Sequence, residues 1–451
     1  MNRTLALKLL VIGVVMGVIL IALAFVNGTI GERQAYRDDA VKSIEASYAG
    51  PQTVVGPVLV RPYTQTTVTM EDGEKGTKKR VEHVAELTAT WFPHVLDVRG
   101  KLTPTERRHG LYTVTVYEFA AHLKGSMEVA PPQTAGTVVW GEPYLAMSVE
   151  DVRGIVGTPK VMVNGTPETM LQGADSSLGW QPNLRVPLRG VKELNGHVEF
   201  AIDMDLAGTE QLSVAPVGDS NHVELSSTWP SPLFAGQFLP RTREVGDAGF
   251  AAAWDVSSLA TGTQVQMASK PVKPIDLMNV SLLTPIDPYK LSDRATKYGI
   301  LFVVLTFGGF FLFEMMKHLP IHPVQYLLVG FGLAIFFLLL VSFSEHMAFA
   351  LAYLISSAAC IGLLTFYLSY VLRSVTRGLG FGGMLTALYA AVYGLLISED
   401  NALVLGSLML FAVLAVVMVV TRKVDWYKGG AESMKAAVEP LSSPPMQGVG
   451  L

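Results

Sequence analysis

The chain has 451 residues, 50% hydrophobic and 16% charged, with a formal net charge of −4. That is too apolar for an ordinary soluble protein, in which about 25% of residues are charged, and the acidic balance excludes nucleic acid or an anionic lipid surface as an electrostatically recruited partner. The only cysteine, Cys360, excludes a disulfide framework.

The first element follows Arg3 and Lys8 as an apolar run over 9–31 that holds no charged residue. Ala22, Leu23 and Ala24 have the small-x-small form of a cleavage site, but they lie inside the run, and the run outlasts a signal-peptide core of about 7–15 residues. The reading is an uncleaved transmembrane anchor over 1–31. Residues 33–49 are polar with spaced apolar positions and continue it as a helix.

Residues 32–297 change period. Phe200, Ile202, Met204 and Leu206 alternate with Ala201, Asp203 and Asp205, the pattern of a half-buried strand. Residues 112–117 alternate too, and 53–63, 81–91, 161–164 and 222–228 are further strands. Turns are expected at 71–73, at Asn164-Gly165 and at Asn195-Gly196. A mainly β domain follows, and over 31–297 it carries 25 basic and 31 acidic residues.

No catalytic constellation is legible in that domain. His83, His94, His109, His122, His197 and His222 are scattered, without an HExxH or a short metal-ligand spacing. No GxSxG elbow, paired-cysteine motif or Walker loop occurs. Asp203 and Asp205 share a strand face and read as exposed polarity rather than an acid/base pair. The basic run 75–80 reads as a hairpin tip. Residues 148–154 offer Arg153 a local acid partner, and the proline-rich 229–240 reads as an ordered loop covering a sheet edge or core, since proline cannot continue a ladder. The sequons at Asn27, Asn164 and Asn279 matter only in a eukaryotic secretory route. The site prediction is therefore no catalytic, cofactor-binding or metal-binding residue, and no cofactor.

Five more apolar stretches follow, at 298–316, 323–344, 347–372, 378–398 and 402–421. A span needs roughly 20 such residues. Glu345 with His346, and Glu399 with Asp400, sit at one set of turns, while Lys317, Arg373, Arg377, Arg422, Lys423 and Lys428 sit at the other. The positive-inside rule then places both termini in the cytoplasm and 32–297 outside. Arg33, Arg37, Arg294 and Lys297 run against it, although long exported segments translocate regardless of charge.

Within the spans the one acid is Glu314, expected to snorkel toward Lys317, with a proton-relay role as the sharper alternative. Gly308, Gly309, Gly330, Gly332, Ser356, Ser357, Cys360, Gly378, Gly380, Gly382 and Gly383 read as close helix packing. Tyr326, Tyr353, Tyr370, Tyr393, Trp426 and Tyr427 read as interfacial anchors. Thr306, Ser342, Thr365 and Ser369 are the groups a transport path would need.

Several strings resemble the CreD family of bacterial inner-membrane proteins. They are Gly50-Pro51 with Val55, Gly56 and Pro57; Ser148 and Val149 with Asp151, Val152, Arg153 and Gly154; and Trp229 and Pro230 with Phe238 and Pro240. The strongest runs through 293–298, Phe313-Glu314, 322–330 and 344–346, and Asp425, Trp426 and Tyr427 close it. The resemblance implies a Gram-negative envelope-integrity protein under two-component control and tied to β-lactam response, with no established reaction and no catalytic residues to carry over. The expected organisation is an anchor over 1–31, a periplasmic β-rich domain over 32–297, a five-helix transmembrane bundle over 298–424 and a disordered cytoplasmic tail over 425–451. The expected function is non-enzymatic, with the β domain binding an envelope component or protein partner and the lipid bilayer as a further partner. The alternative is a transporter or lipid-handling protein working through the bundle. Oligomeric state is not legible.

Overall fold

The computed structural model describes residues 3–72, 78–130, 134, 136–173, 178, 180–189, 196–268, 274–282, 288–317, 321–398 and 402–422. The chain divides into two compact units, Met1–Ala35 with Ile286–Leu451, and Tyr36–Pro285. Helix α1 (Arg3–Ser47) contributes its apolar part to the first and its polar end to the second. It stops just before Gly50-Pro51, where proline can no longer donate to a helical carbonyl.

In chain order the strands are β1 (Gln52–Asp72), β2 (Lys78–Trp91), β3 (Val95–His109), β4 (Tyr112–Val129), β5 (Thr137–Trp140), β6 (Tyr144–Val149), β7 (Ile155–Val163), β8 (Thr166–Glu168), β9 (Leu171–Gln172), β10 (Leu184–Pro187), β11 (Gly196–Thr209), β12 (Gln211–Val214), β13 (Ser220–Ser227), β14 (Leu233–Gly236), β15 (Thr242–Gly246), β16 (Gly249–Ser257) and β17 (Met278–Ser281). They form two mixed sheets. One runs β14-β17-β12-β1-β6-β10-β9, with β2 and β5 also on β1; the other runs β15-β16-β13-β3-β4-β11-β7-β8.

Period-2 alternation explains why the sheets face each other. Along β11, Val198, Phe200, Ile202, Met204 and Leu206 are buried, while Glu199, Asp203 and Asp205 are exposed. One apolar core takes side chains from both sheets, including Val58 and Leu59 of the first and Leu96, Phe119 and Trp254 of the second. Val55 and Val58 flank a bulge in the β1–β6 pairing. Gly56 within it has φ 101°, and a Cβ there would sit 2.9 Å from the Ala146 carbonyl oxygen, so only glycine fits.

Several strands run longer than their alternation marks. β1 continues past Tyr63 to Asp72 because β2 pairs with it throughout, although its apolar residues there, Val68 and Met70, stand exposed among threonines and are too few to mark a strand. Asn164 (φ 48°) and Gly165 (φ 75°) make the expected two-residue turn between β7 and β8. The β1–β2 hairpin brackets residues 73–77, which lie outside the described residues, as does Asn195. Within 229–240, Leu233–Gly236 does pair, with β17; the prolines flank this short strand rather than interrupt it. Trp229, Phe234 and Phe238 pack onto the core, as a cover does.

Two helices fall in the segment read as β, α2 (Thr263–Ala268) and α3 (Pro288–Lys297). Proline at the first helical position suits α3. Its buried face is Tyr289, Ser292, Ala295 and Thr296, too polar to register as apolar periodicity.

The first unit holds α4 (Gly299–Lys317), α5 (Pro323–Ser344), α6 (Phe349–Val371), α7 (Val375–Ile397) and α8 (Ala402–Thr421). Among the described residues, four helices are long and apolar enough to cross a membrane: α1 from Leu10, α5, α6 and α7. The described apolar stretches of α4 and α8, Gly299–Phe311 and Val404–Ala415, are shorter.

Aromatic rings fill the centre, with Phe302 4.6 Å from Tyr389 and Phe336 4.6 Å from the same ring. Some of the small residues act as the packing reading requires, whereas a Cβ on Gly308, Gly380 or Gly383 would meet nothing within 4 Å. A Cβ on Gly378 would collide with Ser369, and one on Gly382 with Thr365, so two glycines four apart let α6 and α7 touch. Two tyrosines read as anchors are instead interior: Tyr326 is 1% and Tyr353 4% exposed, and the Tyr353 hydroxyl donates to the Tyr389 carbonyl oxygen at 2.8 Å. Tyr370 is exposed at 73%. Trp426, Tyr427 and the tail lie outside the described residues.

Candidate functional site

Polar chemistry concentrates on the outer face of the second sheet, where strand register assembles it from distant sequence. Ala253, Glu224, Arg99, His122, Asp203 and Lys160 form one continuous row across β16, β13, β3, β4, β11 and β7. Arg99 holds Asp97 through two bonds, of 2.9 and 3.0 Å, and lies 3.7 Å from Glu224. His222 contacts Asp255 at 2.7 Å and Glu224 at 2.9 Å. His197 contacts Glu128 at 2.8 Å and Glu199 at 3.3 Å, and His122 contacts Asp203. Three of the six scattered histidines therefore share one face, each against a carboxylate from a neighbouring strand.

The carboxylates raise two of these imidazoles above their ordinary value, His222 through Asp255 and then Glu224, and His197 through Glu128. At one end of the face an open cleft of about 460 Å³ crosses four strands. Its floor is small, with Gly100, Ala251 and Ala253, and its rim is charged, with Arg99, Glu224, Arg243 and Glu244. Asp205 shares the face and is exposed. Among the described residues no group of three or more His, Cys, Asp or Glu is placed to hold a metal ion.

A second polar cluster seals the end of α1. Arg153 donates to the Ala46 carbonyl at 2.7 Å and to the Glu45 carbonyl at 3.2 Å, covering acceptors that a helix end leaves open. Asp151 grips the same guanidinium at 2.6 and 2.9 Å and accepts from the Gly50 amide. Its carboxyl is held below the usual range, chiefly by Arg153. Gln52, fully buried, donates to the carbonyls of Asp151 and Ala207 and accepts from the Asp151 amide. The local salt bridge expected for Arg153 is present, and its larger task, capping a helix 107 residues earlier, was invisible in sequence.

In the helical unit, Glu314 turns inward. It is 5% exposed and accepts from the Tyr326 hydroxyl at 2.9 Å and the Ile321 amide at 3.2 Å. Two donors meet the carboxylate inside, and the expected pairing with Lys317 falls on a side chain outside the described residues. Arg33 pairs with Glu345 at 3.5 Å, and Tyr289 also donates to Glu345, which accounts for one of the bases that ran against the charge rule. The four groups a transport path would need do not share a surface: Thr306 is buried, Ser342 is exposed, and Thr365 and Ser369 face the α7 glycines.

A two-sheet β-rich domain joined to a set of apolar helices defines a membrane protein with a substantial extramembrane domain. The chain belongs to the CreD family: the model described as "Inner membrane protein CreD" matches residues 4–427. The inner membrane protein CreD of Escherichia coli K12 is 36% identical over 426 residues, 93% of each chain. This chain is accordingly an inner-membrane protein of the envelope. Among solved structures, an M1 zinc metallopeptidase from Deinococcus radiodurans matches at 10% identity and TM-score 0.23 over 42% of either chain, and a point mutant of that enzyme at the same values. Likeness at that level carries no conclusion.

Proposed function

We propose that this protein is a non-enzymatic envelope-integrity protein whose β-rich domain, on the periplasmic side, binds an envelope component through the outer face of its second sheet. The helices, read as six spans with both termini cytoplasmic, form its platform, and a role in the envelope stress response fits the family. The observation that supports this most is where open polar chemistry lies. The cleft rimmed by Arg99, Glu224, Arg243 and Glu244 is accessible, whereas polar groups among the helices are largely drawn into packing.

A photo-reactive amino acid at Ala253 tests it in living cells. The expected result is a discrete adduct with one envelope component, lost when Arg243 is changed to Glu. No adduct at Ala253, or an adduct indifferent to Arg243→Glu, overturns the reading.

One observation favours the alternative of a transporter or lipid-handling protein. The hydroxyls of Thr306, Ser356 and Thr365 are buried without a hydrogen-bond partner among the described residues, and such groups normally have one. If the alternative holds, a Thr306→Val, Ser356→Ala, Thr365→Val variant made at normal level loses complementation of a deletion strain. If the platform reading holds, it complements fully.

A further inference from the structure

Strand β2 is the outermost strand of a ribbon that leaves its sheet. β5 covers β1 only from Tyr63 to Thr66, and beyond that point β1 and β2 pair with each other alone among the described residues. Along β2, residues 80 and 82–87 are exposed. Val68, Met70 and Val84 are 47%, 65% and 66% exposed on one ribbon face. A two-stranded ribbon is marginal in water by itself, and a long edge strand offers its backbone to another strand.

Charge on an edge usually blocks such pairing. Here the signs are segregated: Lys78, Lys79 and Arg80 begin the strand, and Glu82 and Glu86 follow. An antiparallel copy therefore meets opposite charge. We propose that the β2 edge is a docking surface for a second copy of this chain, paired antiparallel with His83 opposite His83.

A two-fold axis through an antiparallel pair keeps each face with its own kind, so residue numbers facing each other sum to an even value. With His83 on the axis, Arg80 faces Glu86 twice and Glu82 faces Val84, with no like charges opposed. Sliding the centre one residue back sets Glu82 against Glu82. One residue forward sets Glu82 against Glu86 twice. Like charges directly opposite are unfavourable, so the His83-centred register stands between two disfavoured neighbours. Its overlap runs from Lys78 to Thr88 and makes a four-stranded sheet in which Val68, Met70 and Val84 of both copies share one face.

Oxidative cross-linking of full-length chain in its own membrane tests this. Cys360 is buried, so the unsubstituted chain is the blank. His83→Cys is expected to give a covalent dimer under mild oxidation, because facing side chains in such a pair have Cβ atoms about 4.5–5.5 Å apart. Arg80→Glu or Glu86→Arg added to it is expected to lower the yield about tenfold, since both symmetry-related pairs change sign at once. Arg80→Glu with Glu86→Arg is expected to restore it. All these side chains are exposed, and unchanged β content by circular dichroism checks that each variant folds. The proposal fails if the His83→Cys chain gives no dimer, if single reversals leave the yield alone, if the double reversal stays low, or if a cysteine at Leu259, 98% exposed and off the strand, cross-links equally well.

Discussion

His222 shows how far single residues depend on register for their chemistry. Its partners Asp255 and Glu224 lie on the neighbouring strand and its own, and both favour the charged ring. The folded value is thus above the ordinary 6.5. The stabilisation is complete below that ordinary value and is lost as pH rises through the folded one. An NMR titration should put the His222 midpoint above 6.5, and Asp255→Asn should bring it back down. A midpoint that ignores Asp255→Asn would remove the ion-pair account. Gln52 makes the opposite kind of contribution, independent of pH. Gln52→Leu keeps much of the volume but strands the Ala207 carbonyl and the Asp151 amide, while the Asp151 carbonyl keeps the Gly154 amide. A loss of about 2 kcal/mol is expected in chemical unfolding.

At the scale of elements, the α6–α7 contact is the most exposed to a single change. A side chain at Gly378 meets the Ser369 backbone and hydroxyl, which cannot both give way. Gly378→Val should cost about 2 kcal/mol and lower the melting temperature in detergent, whereas Gly380, whose added Cβ meets nothing within 4 Å, should accept alanine with little change. Equal effects at both positions would argue against the packing role. Elements with clean periodicity were legible in sequence: α1, the apolar helices, and strands such as β11 announce themselves through spacing alone. α3 did not, because Ser292 and Thr296 are buried through packing and a helical hydroxyl bond to the Ser292 carbonyl. The outer half of β1 did not, because Val68 and Met70 alone among threonines, glutamine and acids make too short an alternation to read. The histidine face was illegible for a different reason. Its contacts join residues 81, 69 and 33 positions apart, and only the strand order brings them together.

For the molecule as a whole, the proposed six-span topology makes one direct prediction. In intact spheroplasts a membrane-impermeant maleimide should label a cysteine placed at Leu259 and spare one placed at Arg422 until the membrane is broken. The reverse pattern would invert the proposed orientation. Glu314 links α4 to α5 through Tyr326 and to the connection between them through Ile321. Glu314→Ala should therefore cost about 2 kcal/mol by leaving both donors unpaired, while Glu314→Gln with unaltered complementation would remove a proton-carrying role.

The sealing of α1 by Arg153 bears on how the chain is made. The helix is synthesised well before the group that completes its end, which arrives 107 residues later. β1 must wait longer still, since one of its neighbours is β12, whose pairing begins at Leu212. Closing such long loops is slow, so during biogenesis the start of β1 spends an extended interval with one backbone edge unpaired. A nascent chain stalled before residue 211 should therefore be held by chaperones and cut readily by proteases, and should become resistant only once the missing neighbour has emerged.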